Sequence, residues 1–471
     1  MQTNRWVWAG VCLLAGCTAM PRDDGLEEVG REVAQRQPLS LQWRRDAASD
    51  QAAEAEVRRL LAVTTLDVES AVQLALLGNR RLQAEYETLG IARADLVQAG
   101  LLRNPVFGWS GQQGGDATKT VWGVEFDLIG LLLRNRRQSI ENIRFAHARL
   151  GVVQAVLQHA RETRQAWVSA VAAAQDANFM AQVTELAAIE AELGQRQYRE
   201  GNLALRDALR QQAFHTESAT ALAQARNQAT MARERLARLL GVDAGLLRLP
   251  AALPGLPRAL PEFSGVEDAG LRRRPDLQQA QQEVEAMAAA LGITRDTRWI
   301  NLFDLGVETE RATGERRITG PTLQFELPLF DQGQARISRQ EALYRQSESR
   351  LFALAVEARS EIREQLQRAR TGYTVARQVR EELLPLRRRI VEQSTLHYNG
   401  MLIGVFELLA DARAQVQAVQ ADIAATRDFW IALADLQMAL GGKLPELPAS
   451  EAAQGVAGNH QSTNHDEHGG H

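Results

Sequence analysis

Landmarks recur about 200 residues apart along this 471-residue chain, and no local signal constrains the fold as tightly. Glu125-Phe126-Asp127-Leu128 is echoed by Gln324-Phe325-Glu326-Leu327, and Tyr198-Arg199-Glu200-Gly201 by Tyr398-Asn399-Gly400. Leu240-Gly241 is echoed by Leu440-Gly441, and Leu89-Gly90-Ile91-Ala92-Arg93 by Leu291-Gly292-Ile293-Thr294-Arg295. Between the halves, Pro250, Pro254, Pro257 and Pro261 exclude a helix and read as an extended linker. The chain therefore divides into a first repeat at 66–249, a linker at 250–261 and a second repeat at 262–445.

Each repeat reads as helix, strand, strand, long helix, turn, helix. Asp67 opens a helix expected to run to about Gly100, where Asn104-Pro105 stops it. Residues 131–198 and 331–398 keep apolar side chains at seven-residue spacing, such as Ile143, Leu150 and Leu157, or Ala355, Ile362 and Ala369. Each stretch would make about 100 Å of helix. The return helix (203–240) and the opening helix (68–100) together match that length, so two short helices stacked end to end could line one long one. Pro385 lies inside the second long helix and costs about 3 kcal/mol unless a local break accommodates it.

Four short segments alternate like strands: 106–111 with 121–129, and 300–310 with 318–327. Trp122, Val124, Phe126 and Leu128 fall on one face, Gly123, Glu125 and Asp127 on the other. Leu323, Phe325 and Leu327 against Gln324 and Glu326 repeat the pattern. Alternation over about nine to eleven residues is the signature of a transmembrane barrel strand. Glu125, Asp127, Gln324 and Glu326 would then face a wet lumen. Four strands cannot close a pore and an open edge is untenable in lipid, so several chains must share one barrel.

Composition removes other classes. Basic and acidic residues nearly balance at 54 and 58, which gives a nucleic-acid partner no electrostatic support. No apolar run is long enough for an ordinary transmembrane helix. Trp6–Ala15 is a short apolar segment of signal-peptide length, and Leu14-Ala15-Gly16-Cys17 resembles a bacterial lipoprotein cleavage box. We therefore expect a signal peptide at 1–16, lipidation at Cys17 and a lipid-anchored segment at 17–65, with Thr18 pointing to the outer membrane. Four of the eight histidines, His460, His465, His468 and His471, crowd the polar tail at 446–471. Imidazoles at such flexible spacing suit weak binding of a divalent metal, copper above others.

The sequence Gly320-Pro321-Thr322-Leu323-Gln324-Phe325-Glu326-Leu327-Pro328-Leu329-Phe330-Asp331-Gln332-Gly333, with Arg274-Pro275-Asp276-Leu277 and the two Tyr…Gly turns, resembles the TolC-type outer-membrane efflux family. The likeness is to its lipoprotein branch, which serves resistance-nodulation-division pumps, and spans residues 65 to 445. It implies a mainly α chain with a small transmembrane β part, in a homotrimer with a 12-stranded β-barrel on a periplasmic α-helical barrel. It also implies a periplasmic adaptor, an inner-membrane pump, outer-membrane lipid around the barrel and no required cofactor. The second turn departs from the family, with Tyr-x-Gly in place of Tyr-x-x-Gly.

No Walker A sequence, His-Glu-x-x-His, Cys-x-x-Cys or nucleophile elbow is present, so the chain reads as a non-enzyme. The resemblance places a periplasmic gate beside the turns at Gly201 and Gly400. Glu407 and Asp411 are four apart on one helix face, and Asp207 and Arg210 sit similarly after the first turn. Repeated around a symmetric pore, the carboxylates would form a cation-attracting ring. The function expected is passive export of heavy-metal cations such as copper or zinc. The competing expectations are drugs or other small organic cargo, and a non-pore coiled-coil lipoprotein with a metal-binding tail.

Overall fold

The computed structural model describes residues 24–445 except 63, 264 and 301. Cys17 and the four tail histidines lie outside the described residues, as do the expected signal peptide and tail.

Two N-terminal helices, α1 (Leu26–Arg36) and α2 (Ala47–Leu61), precede α3 (Val68–Gly78) and α4 (Arg80–Gly100). Strands β1 (Val106–Gly114) and β2 (Ala117–Asp127) lead directly into α5 (Leu128–Arg199), which returns through α6 (Leu205–Leu240). The second half follows the same order: α7 (Val266–Arg273), α8 (Pro275–Asp296), β3 (Phe303–Ala312), β4 (Ile318–Phe325), α9 (Gln334–Gln378), α10 (Leu384–Asn399) and α11 (Val405–Ala439). The strand bounds differ from those expected. β1 and β2 meet at a tight turn with Gly115 at φ +59°, which lengthens both strands towards each other. At the other end Asp127 stops β2, its carboxylate accepting from the Gly130 N–H as the N-cap of α5, so Ile129 is helical.

The opening helix is not continuous. It breaks at Asn79, whose side-chain oxygen accepts from the Arg81 and Leu82 N–H groups at 2.9 and 3.1 Å. The same amide donates to the Leu239 carbonyl at 2.9 Å, so one side chain serves the start of α4 and the end of α6. A Cβ on Gly78 would collide with the Leu240 carbonyl oxygen, and one on Gly241 would lie 2.8 Å from the Gly78 carbonyl carbon. Two facing glycines therefore let α6 end against the start of α4. It is α6 and α4 that follow one another along α5, while α3 packs beside the joint with Leu74, Ala75 and Leu77 in the same core as Trp167, Leu236 and Leu240. In the second half the break falls at Arg274-Pro275, with proline at the first helical turn where its missing N–H costs nothing. Arg274 ties it down by donating to both Asp276 oxygens (3.0 and 2.6 Å) and to Glu361.

Pro385 is accommodated as its position requires. Residues Val379–Leu383 form a π-turn between α9 and α10, so the long helix of the second half is interrupted where α5 runs 72 residues unbroken. Arg380 in that turn donates to both oxygens of Asp422 at 3.0 Å and to Thr426 at 3.1 Å, clamping the widened turn to α11.

The four strands form one antiparallel sheet in the order β1-β2-β3-β4. The central β2–β3 ladder joins the halves, with Asp127 opposite Asp304 and Glu125 opposite Gly306. β1 and β4 are left as edges. The hydrophobic core lies far from the sheet, around the joints where α3, α5 and α6 meet and where α5 carries α1 and α4.

Candidate functional site

Antiparallel partners share a face, so the register sorts every strand residue. One face collects Phe107, Trp109, Trp122, Val124, Phe126 and their partners Leu305, Val307, Leu323 and Phe325. It is open to the surroundings, with Phe107 65% and Phe325 55% exposed. The opposite face collects Glu125, Asp127 and Gln324 together with Asp304, Glu308 and Glu310. Glu326 lies just past the end of β4, and its N–H still donates to the Leu302 carbonyl at 3.3 Å. On the acidic face Lys119 pairs with Glu310 at 2.8 Å. Such a sheet is apolar on one side, anionic on the other and unpaired at both edges. In water it would leave a large apolar surface exposed, which soluble monomers avoid.

The far ends of the hairpins turn alike. In the first turn Gly201 (φ +77°) donates to the Tyr198 carbonyl at 3.0 Å, and Asn202 to that of Gln197 at 2.8 Å. In the second, Met401 (φ +58°) donates to Tyr398 at 2.9 Å, and Leu402 to His397 at 2.8 Å. The left-handed position of the second turn therefore belongs to Met401. Gly400, matched to Gly201 by sequence, has φ −81°. A backbone offset of 200 then pairs Asp207 with Glu407, and Gln211 with Asp411.

Asp207 bonds Arg210 at 3.1 Å, and the Arg210 guanidinium lies 4.5 Å from the Phe406 ring centroid. Arg413 likewise reaches from α11 to α6, pairing with Glu217 at 2.9 Å over the Phe214 ring. Asp411 is half-buried and accepts from the Ser394 hydroxyl of α10, within its own hairpin. Glu407 is exposed, with no ion pair among the described residues. Helix periodicity puts Glu407 and Asp411 on one face, but their surroundings differ. Asp207 and Arg210 pair within one turn of α6.

No protein-family model matches the sequence, and no curated protein matches it. Solved structures do. A membrane protein from Pseudomonas aeruginosa superposes with a TM-score of 0.70 at 20% identity, over 82% of this chain and 94% of that one. The outer-membrane protein VceC from Vibrio cholerae gives 0.68 at 16% identity, over 84% and 99%. CusC, whose structures concern folding and transmembrane channel formation, gives 0.68 at 17%, over 81% and 94%. The chain has the fold of the TolC-type outer-membrane channels.

Both the sheet and the hairpin tips hold charged and aromatic residues that the sequence alone does not single out. Asp304, Glu308 and Glu310 share the acidic face but stand in β3, whose register on β2 no local pattern reveals. Phe406 and Arg413 bridge the two hairpins across the tip, a contact between residues some 200 positions apart. Offset 200 from the two tyrosines, rather than from the glycines, would have pointed to Met401. Among the described residues no group of three or more His, Cys, Asp or Glu could hold a metal ion, and no helix is long and apolar enough to cross a membrane.

Proposed function

We propose that this chain is the outer-membrane channel of a tripartite efflux system, a passive conduit with no catalytic step. One observation carries the reading: a four-stranded sheet, apolar on one face and acidic on the other, with both edge strands unpaired. Only closure removes edges from lipid, and three copies would close twelve strands by pairing β4 of each with β1 of the next. The apolar face then meets lipid and the acidic face lines the lumen. A non-pore spacer has no use for such a sheet. The two halves act as repeats of one hairpin unit, and α5–α6 with α9–α11 build the periplasmic tunnel on which an adaptor and an inner-membrane pump would dock. Cys17 would add a lipid anchor.

The acidic face favours cations, and heavy-metal cargo is the reading it supports over organic compounds. Carboxylates of Glu125, Asp304 and Glu308 along the lumen would raise the local cation concentration. The tail histidines His460, His465, His468 and His471 would bind copper or zinc weakly outside the conduit, as a reservoir rather than a required cofactor.

The test is reconstitution of the full-length protein in planar bilayers. Mass in detergent should be three times that of one mature chain, and the pore should pass cations in preference to anions. Substituting Glu125→Gln, Asp304→Asn and Glu308→Gln together should reduce that preference severalfold. A stable monomer that conducts ions would refute the architecture. Copper(II) and zinc(II) titration of the protein with and without residues 456–471 separates a metal-binding tail from a spectator.

A further inference from the structure

All four crossings between sheet and helices lie at one end of the sheet, where Val106 faces Glu125, Asp127 faces Asp304 and Phe303 faces Phe325. Apolar side chains project there without protein cover: Leu132 is 75%, Leu329 71% and Phe330 93% exposed, and Leu102, Trp299 and Leu327 are exposed too. The last crossing, which presents Leu327, Leu329 and Phe330, is held by its own hydrogen bonds. Leu329 N–H donates to the Leu327 carbonyl at 2.8 Å, and Gly333 N–H to the Asp331 carboxylate at 2.8 Å. A Cβ on Gly333 would lie 3.3 Å from the Arg298 carbonyl oxygen, so this segment folds back on the crossing before β3.

Immediately on the helical side stands a collar of arginines. Arg103 faces Asp127 at 3.5 Å, Arg136 pairs with Asp296, and the Arg298 guanidinium lies 4.3 Å from the Trp299 ring centroid. Arg137 and Arg339 are exposed and make no ion pair among the described residues. Arg136 and Arg137 follow Asp127 by about 14 Å of helix. Headgroups occupy about 5–8 Å beyond the hydrocarbon on each side, within reach of an extended arginine whose stem lies along apolar surface. Belts of aromatic residues backed by basic ones are how proteins sit at a bilayer surface.

We propose that this collar binds phospholipid of the periplasmic leaflet: the apolar crossings enter the acyl boundary, and the arginines hold headgroup phosphates with a preference for anionic lipid. The inference rests on the channel reading, and it adds a lipid class to a barrel that otherwise needs only hydrocarbon. Arg137 and Arg339 carry the preference, because their charge is not spent on a carboxylate. Leu329 and Phe330 carry affinity without selectivity.

Full-length protein purified in detergent is titrated with phosphatidylglycerol and with phosphatidylcholine, and bound lipids are counted by native mass spectrometry. The wild type should retain phosphatidylglycerol at roughly tenfold lower lipid concentration. Arg137→Gln with Arg339→Gln should remove most of that difference, with oligomeric mass and bilayer conductance unchanged. Phe330→Gln should weaken retention of both lipids and leave their ratio intact. Equal retention of both lipids by a wild type that conducts would overturn the collar and spare the channel. A variant that keeps the full preference would do the same. Absence of any conductance would sink the channel reading, and the collar with it.

Discussion

Arg210 at the start of α6 lies with its guanidinium 4.5 Å from the ring centroid of Phe406 at the start of α11, and Asp207 holds it there from below at 3.1 Å. The pair joins the tips of two hairpins that are separate along the chain. A cation over an aromatic face at a partly exposed site is worth about 0.5–1 kcal/mol. If the tip is the gate, Phe406→Ala should loosen it and raise single-channel conductance in planar bilayers, and Arg210→Ala should match it. Conductance identical to wild type in both variants would mean the contact faces away from the conduit. The carboxylate pair is a separate question: Asp411→Ala with Glu407→Ala should weaken block by trivalent cations.

The sheet faces make opposite demands at neighbouring residues. Phe325→Arg puts a charge on the apolar face at the crossing end of the sheet, near the bilayer edge, and should cost about 1 kcal/mol per chain there, against the roughly 2–4 kcal/mol typical of the midplane. Gln324→Arg, on the acidic face, should be tolerated. Urea titration of folding into vesicles measures both. Equal sensitivity would show both faces to be wet, and a costlier Gln324→Arg would show them reversed.

At the joint where α6 ends against the start of α4, Gly78 and Gly241 touch where no Cβ fits. Gly241→Ala adds strain from a φ of +70° to the collision. Each substitution should destabilise the protein by about 1–3 kcal/mol, the usual cost of overpacking. Gly292→Ala meets no atom within 4 Å and should be neutral or slightly stabilising, since it lies within α8. Thermal melts of the three variants check this directly.

His159 sits beside the same joint, and burial holds its pKa below the ordinary 6.5, with Arg81 adding to the effect and Glu162 opposing it. The unfolded chain therefore binds the proton more readily than the folded one. Stability from the neutral imidazole is full above about pH 6.5 and falls as pH drops from there to the depressed folded value. Acidification from pH 7.5 to 5.5 should lower the melting temperature by about 2 °C more in wild type than in His159→Gln. Equal losses would show that His159 does not report on the joint.

Met401 occupies a left-handed backbone position that its counterpart Gly201 fills freely. A side chain there costs about 1–2 kcal/mol, so Met401→Gly should raise stability by about 1 kcal/mol or less once lost packing is counted. Met401 is 93% exposed, which makes that packing loss small. A melting temperature at or below the wild-type value would contradict the strain.

Sequence periodicity alone carried most of the architecture here. Heptad spacing and strand alternation depend on residues close in sequence, so the long hairpins, the strand faces at Phe325 and Gln324, and the break demanded by Pro385 were all legible. What tertiary structure decided were contacts across the halves and exact turn register. Asn79 reads as an ordinary helical position until the Leu239 carbonyl and Gly241 come against it from 160 residues away. Asp304, Glu308 and Glu310 join the acidic face only through pairing with β2. Asp411 looks like a free tip carboxylate until Ser394, on the opposite arm of its hairpin, claims it. In each case the deciding partner stands on another element, 17 residues away for Asp411 and about 160 or more for the others, and the energy that selects it is packing or hydrogen bonding that local sequence does not encode.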